Sequence, residues 1–212
     1  MYIPRRHQEK NSEEIFSFLR ENSFAILVSV KDGLPLATHI PLLLDTNSSG
    51  DDVLTGHISR GNEQKFSLRD GVKVLCIFPG PHSYVSPRWY TQLNVPTWNY
   101  IAVHVYGTLR IMETHELRAA LDKLVDTYEH HLPRPVKMDE IPEKTLSDDM
   151  RGIIGFEIRI EDLQAAYKLS QNRDEESYNN IIHELKEGDL SSQQVAAAMQ
   201  DRSSQLFKDD PV

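Results

Sequence analysis

Residues 78–107 constrain this chain more than any other stretch. They hold both tryptophans, Trp89 and Trp98, together with Pro79, Pro81, Pro87 and Pro96. Proline has no donor for a strand ladder, so four of them do not fit a central paired strand. They predict that the chain leaves a sheet at Phe78, crosses as a braced loop, and re-enters a strand near Asn99. Ser83, Ser86, Thr97 and Asn99 set short polar groups between flat aromatic faces. That mixture suits a wall for a planar polar ligand. It suits equally a stiff loop packed in a core or on a second subunit, and composition leaves both readings open.

Either side of that stretch, the periodicities are those of an antiparallel protein. Ser12 is placed to cap a helix through Glu21, with Ile15, Phe18 and Leu19 on one face. Residues 24–30 read as a strand, Asp32-Gly33 as a hairpin turn, and 36–44 as the return strand, with Pro41 marking a bend or an edge. A turn at 47–51, a strand at 52–58, a helix through Leu68 and a strand at 72–78 follow. Beyond the proline-rich stretch come a strand at 100–112 and a helix capped by Thr114. Its apolar stripe is Leu117, Ala120, Leu121, Leu124, Val125 and Tyr128. A short helix is expected at 146–150. Ile154, Phe156, Ile158 and Ile160 then alternate along a strand at 153–160. Short turns dominate and βαβ alternation is absent. This predicts a mainly β chain, a closed antiparallel barrel with peripheral helices.

From Asp174 the pattern becomes helical. Tyr178, Ile181, Ile182 and Leu185 mark one helix, and Ser191 with Gln194 has capping-box spacing before a second at 195–199. The expected organisation is therefore a barrel domain at 1–173 and a helical extension at 174–212, with its polar last residues disordered.

Charge and cysteine content exclude several functions. The formal net charge is −9, which repels nucleic acid in bulk; Arg5 and Arg6 leave room for a local basic patch, but there is no long basic run, so DNA is a possible partner that the charge does not support. The two C-terminal helices lack the basic residues of a DNA-reading motif. The single cysteine, Cys76, excludes an internal disulfide and a multi-cysteine zinc site. Its apolar neighbours suggest a buried, inert thiol, and a reducing cytoplasm is the expected home. No apolar run is long enough to cross a bilayer, and the first residues lack the apolar core of a signal peptide. His130-His131 diverge on a helix, so they read as favourable charge at its C-terminus and not as metal ligands. No catalytic triad or paired acid/base constellation is visible.

One polar corner stands out. A strand ends at His57-Ile58-Ser59-Arg60-Gly61-Asn62 and a helix is expected to start there. Free N–H groups at a helix start attract anions, and an arginine adds forked donors. The same residues also make a plain helix cap beside a solvated arginine.

Five motifs together carry a resemblance. They are Met1-Tyr2-Ile3-Pro4, the corner at 57–62, Gly80-Pro81-His82-Ser83-Tyr84-Val85-Ser86-Pro87-Arg88-Trp89-Tyr90, Val95-Pro96-Thr97-Trp98-Asn99-Tyr100, and Lys168-Leu169-Ser170-Gln171-Asn172-Arg173. Over residues 1 to about 173 the chain resembles the PaiB family, described as FMN-binding negative transcriptional regulators. That family is similar to the flavin-binding split barrels, which include the pyridoxamine phosphate oxidases. The resemblance implies a six-stranded antiparallel split β-barrel, a homodimer, and FMN in the cleft between subunits. It implies phosphate contacts from Thr38 and His39 on one strand and from Ser59, Arg60 and Asn62 at the corner, with His57 nearby. It sets the flavin ring against Ser83, Tyr84, Ser86, Trp89 and Trp98, and brings Gln171 and Arg173 close to it.

Two departures matter. Gly61 stands where the oxidases carry a lysine, which should weaken phosphate binding. Ser170 or Gln171 stands where they carry a histidine, which argues against pyridoxamine phosphate oxidation. The expected function is an FMN-binding regulator or a flavin-dependent redox protein that meets a nicotinamide only as a transient substrate. Haem is the alternative cofactor, with His39, His57, His82 and His104 as candidate axial ligands. The other alternative is a regulator that acts through a partner and not on DNA.

Overall fold

The computed structural model describes residues 1–207. Among them are eight strands and five α-helices: β1 (Gln8–Glu9), α1 (Ser12–Glu21), β2 (Phe24–Lys31), β3 (Leu34–Pro41), β4 (Leu43–Thr46), β5 (Asp52–Ser59), β6 (Lys73–Val85), β7 (Thr97–Ile111), α2 (Thr114–Glu129), α3 (Glu143–Arg151), β8 (Ile153–Lys168), α4 (Glu175–Lys186) and α5 (Leu190–Leu206). The sheet order is β3-β2-β6-β7-β8-β5-β4, with β1 added on β8. The β2–β3, β2–β6, β4–β5, β5–β8 and β1–β8 pairs are antiparallel. Two points correct the sequence reading. Eight strands are present where six were expected, because the chain breaks at Leu42 after Pro41 and residues 8–9 add a short strand. Helices also hold nearly as many residues as strands, so the chain is mixed α/β and not mainly β. Part of the stretch expected to be disordered is helical, since α5 runs on to Leu206; the rest of that expectation lies outside the described residues.

The chain forms two compact units. Of the described residues, the first comprises Met1–Ile15, Pro79–Val103 and residues 164–207; the second comprises Phe16–Phe78 and His104–Leu163.

In the second unit, strand alternation sorts core from surface. Ala25 and Leu27 of β2, Val74, Cys76 and Phe78 of β6, and Phe156 and Ile158 of β8 are buried. Asp32 and Gly33 both take positive φ, 50° and 81°, which is the primed turn that suits the twist of a two-residue hairpin. The helix expected through Leu68 is only a 3-10 turn, Glu63–Phe66. Gln64, inside that turn, is buried and donates through Nε2 to Ser29 Oγ (2.9 Å) and Leu27 O (3.1 Å), tying the turn to β2. Glu113, and not Thr114, caps α2, in a reciprocal box with Glu116. His130 closes that helix through Nδ1, 2.9 Å from Asp126 O. Cys76 is fully buried, and desolvation pushes its thiol far above the ordinary range, so it stays protonated.

In the first unit the expected loop is mostly strand. β6 continues through Pro79 and Pro81 to Val85. Its register with β2 ends at Ile26↔Ile77, so Pro79 and Pro81 fall beyond that ladder. The irregular part shrinks to a 3-10 turn, Pro87–Trp89, and the residues between it and Thr97. The helix starts also differ from expectation. Asn11 accepts from the Glu13 N–H (3.0 Å) at the start of α1, and Asp189, not Ser191, caps α5. Tyr178, Ile181, Ile182 and Leu185 of α4 are buried, as are Val195, Ala196 and Met199 of α5. The Tyr178 hydroxyl donates to Met199 O (2.9 Å) and joins the two helices.

Candidate functional site

In the second unit, the end of β5 builds a corner rich in donors. The Arg60 N–H bonds to Gly152 O (2.8 Å), and Arg60 Nε donates to Arg151 O (2.9 Å). These bonds fix the backbone and hold the guanidinium by one nitrogen. Among the described residues its two terminal nitrogens have no hydrogen-bond partner. Ser59 Oγ accepts from the Gly61 N–H (3.0 Å) and keeps its own proton to donate. Asn62 works in both directions. Its Oδ1 accepts from the Gln64 N–H (2.9 Å), capping the 3-10 turn, and its Nδ2 donates to Thr38 Oγ1 (2.9 Å). Thr38 thereby keeps its hydroxyl proton and is tethered to the turn.

Thr38, Ser59, Arg60 and Asn62 are thus brought together; His39 is not. It is adjacent to Thr38 on a strand, so it points to the opposite face, where its ring stacks 6.3 Å from that of Phe24. His57 lies two residues before Ser59, on the same face of β5, and desolvation lowers its pKa. The corner also holds a cation that spacing arguments missed. Lys65 Nζ donates to Arg60 O, so the ammonium lies beside the arginine although position 61 is glycine. No motif at adjacent positions reveals it, because the 3-10 turn is what carries Lys65 back. Two free hydroxyl protons, a guanidinium end and an ammonium make a donor set suited to a phosphate.

The first unit holds the aromatic residues. Tyr84 and Trp98 are 45% and 53% exposed, and their rings meet edge-on at 6.0 Å, with the His82 ring 6.2 Å from Trp98. Ser83 faces the other way, since successive strand residues alternate. It is buried, and its Oγ lies 2.9 Å from Ser192 Oγ on α5. Ser83 and Tyr84 therefore do not share one wall. Ser86 Oγ accepts from the Arg88 N–H (3.2 Å) and caps the turn Pro87–Trp89. Trp89 is half-buried and, among the described residues, pairs with neither Tyr84 nor Trp98.

Gln171 is committed within the unit. Its Oε1 lies 2.9 Å from His7 Nδ1 and accepts from the Leu169 N–H (2.9 Å), while its Nε2 donates to Tyr167 O. Its role here is to hold His7. Arg173 places its guanidinium carbon 3.9 Å from the centroid of the Tyr90 ring, a cation–π contact. Arg6, His7 and Lys168, none of them among the expected site residues, line one small cavity with Arg173. The available signal was the basic triplet Arg5-Arg6-His7 in an acidic chain.

Among the described residues no group of three or more His, Cys, Asp or Glu is placed to hold a metal ion, and no helix is long and apolar enough to cross a membrane.

Residues 1–162 match the family described as "Putative FMN-binding domain". The sequence is 44% identical over 204 residues to the protease synthase and sporulation protein PAI 2 of Bacillus subtilis, covering 95% of this chain and 98% of that one. Two solved structures share the fold at low identity. The FAD and haem binding protein of Mycobacterium smegmatis superposes with a TM-score of 0.61 at 19% identity, covering 76% of this chain and 73% of that one. The flavocytochrome Anf3 of Azotobacter vinelandii gives 0.58 at 14%, covering 78% and 72%.

Proposed function

Because the chain belongs to the PaiB family, we propose that it is an FMN-binding split-barrel protein, with the flavin phosphate held at the Thr38–Ser59–Arg60–Asn62 corner. The observation that carries this reading is the corner's set of uncommitted donors. Arg60 offers both terminal nitrogens, Thr38 and Ser59 offer hydroxyl protons, and Asn62 fixes the turn that presents them. Hydrogen bonds to a charged group contribute about 1.5–3 kcal/mol each. Lys65 restores the second cation that Gly61 takes away, so the penalty expected from sequence is smaller. A bound flavin supplies the electron chemistry; the chain's own residues bind and orient it.

A homodimer belongs to the same reading, with a split barrel in each subunit and the flavin in the cleft between them. Its support is an uncovered apolar sheet face in the second unit. Phe24, Ile26, Val28 and Val30 of β2 alternate outward beside Leu75 and Ile77 of β6, and Phe24 and Val30 are 62% and 58% exposed. A contiguous apolar patch of this kind marks an interaction surface. A regulatory role follows the name of the PAI 2 relative, and the net charge of −9 favours action through a partner over DNA contact. One buried, protonated cysteine fits a reducing cytoplasm.

The test is to purify the protein, record its absorption spectrum and titrate FMN into the apo form by flavin fluorescence. Micromolar or tighter binding that weakens by at least about tenfold in Arg60→Ala is the expected result. Unchanged affinity in that variant removes the corner from the site. A single Soret band in place of the flavin bands substitutes haem for FMN and turns attention to His39, His57, His82 and His104.

A further inference from the structure

The first unit contains a cavity of about 170 Å³ whose wall carries Arg6, His7, Thr97, Asn99, Lys168 and Arg173. Three of these residues are fixed cations and no carboxylate lines the space. In a chain of net charge −9 that local balance is inverted. Some cations elsewhere are neutralised by acids: Lys73, Arg110, Arg118, Lys123, Arg151, Arg159 and Arg202 form ion pairs. Among the described residues Arg6, Lys168 and Arg173 form none. Like charges held together in a partly desolvated space repel one another, and a counter-anion relieves the repulsion.

The wall is also built to stay in place. Lys168 Nζ donates to Trp98 O (2.7 Å) and to Thr97 Oγ1, which leaves one of its three protons uncommitted. Gln171 holds the His7 ring at Nδ1, and the Tyr90 ring backs Arg173. Asn99 is fully buried and its Oδ1 accepts from Ser170 Oγ (3.0 Å), at a serine held at φ 61°. A non-glycine residue in that region is strained, and such strain is kept where the surrounding structure over-determines it. Burial lowers the proton affinity of both Lys168 and His7, and the charges of Arg6 and Lys168 lower that of His7 further.

We propose that this cavity is a binding site for one small oxyanion, a phosphate or carboxylate group, held by Arg6, Lys168 and Arg173. Pockets for whole small molecules span roughly 300–1,000 Å³, so this one fits an anionic headgroup and not a flavin. The proposal stands apart from the FMN reading and gives Arg173 an anionic partner.

Calorimetric titration of the apo protein tests it, with inorganic phosphate in one arm, succinate in another and sodium chloride at matched ionic strength as the reference. The expected result is saturable binding of phosphate or of succinate above the chloride reference, and the arm that responds identifies the oxyanion. Binding weakens at least about tenfold in Arg6→Gln, where an exposed side chain is changed and the fold is spared, and again in Lys168→Gln. FMN titration of Arg6→Gln should match the unsubstituted protein, which separates this site from the flavin. Absence of binding in both arms overturns the proposal, as does binding that neither substitution weakens.

Discussion

Single side chains at the end of β5 each hold more than one part in place. Asn62 caps a turn with one end of its amide and tethers Thr38 with the other, while Arg60 is fixed by Nε and keeps its far end free. His57, on the same strand, makes a prediction about pH. Burial lowers its pKa from an ordinary value near 6.5. Below that value the unfolded chain binds a proton that the folded chain resists. The contribution is therefore neutral well above pH 6.5, and stability falls as pH drops through 6.5 toward the folded value, by at most about 1.4 kcal/mol per pH unit for one group. Thermal unfolding of the apo protein between pH 7.5 and 5.5, values chosen about one unit either side of that ordinary value, should show a shallower loss for His57→Gln. Equal slopes would remove His57 from the effect. At this scale the polar end of β5 was legible in the sequence, because Ser59, Arg60 and Asn62 interrupt an apolar run. Lys65 was not, since a 3-10 turn and not adjacency brings it to Arg60. Ser83 and Tyr84 were wrongly set on one wall because a loop was assumed where strand alternation rules.

Elements follow from patterns of burial more than from punctuation. The prolines at 79 and 81 were read as ending a strand, yet β6 runs past them, beyond the end of its β2 ladder at Ile77. Helix positions were clear from apolar spacing, but their caps were not: Glu113, Asn11 and Asp189 do the capping expected of Thr114, Ser12 and Ser191. Several polar residues stood near each helix start, and only backbone geometry selects among them. One element depends on a charged anchor. Arg202 of α5 reaches Glu9 at 2.6 Å and also Glu14, with the arginine and Glu9 side chains 18% and 12% exposed. Removing one partner leaves a largely buried carboxylate without its counter-charge. Arg202→Ala should lower the unfolding free energy by about 3 kcal/mol, the lower end of the cost of breaking a buried pair, read as a reduced urea midpoint at constant slope. A change within about 0.5 kcal/mol, the range of ordinary surface substitutions, would show that the anchor is dispensable.

For the whole molecule, the absence of βαβ alternation gave the antiparallel sheet, and five motifs gave the family. The strand count and the share of helix were not legible, because Pro41 was read as a bend and not a break, and α5 extends well beyond its apolar spacing. The bare face of β2 and β6 was readable only in part. Val28 and Ile77 look like core residues in sequence, and nothing in their spacing says that one sheet face stays uncovered. In the dimer reading, Val28→Glu puts a charge in the centre of that face and should yield monomers by light scattering at concentrations where the unsubstituted protein is dimeric. A monomeric unsubstituted protein would refute the dimer.

The central claim is that the β5 corner reads a phosphate. Riboflavin, which is FMN without its phosphate, tests it most directly when both ligands are titrated into the unsubstituted protein and into Arg60→Ala. The account predicts that FMN binds at least about a hundredfold tighter than riboflavin, consistent with two charge-assisted hydrogen bonds of about 1.5 kcal/mol each, and that Arg60→Ala weakens FMN while leaving riboflavin unchanged. Equal affinity of the unsubstituted protein for FMN and riboflavin would contradict it.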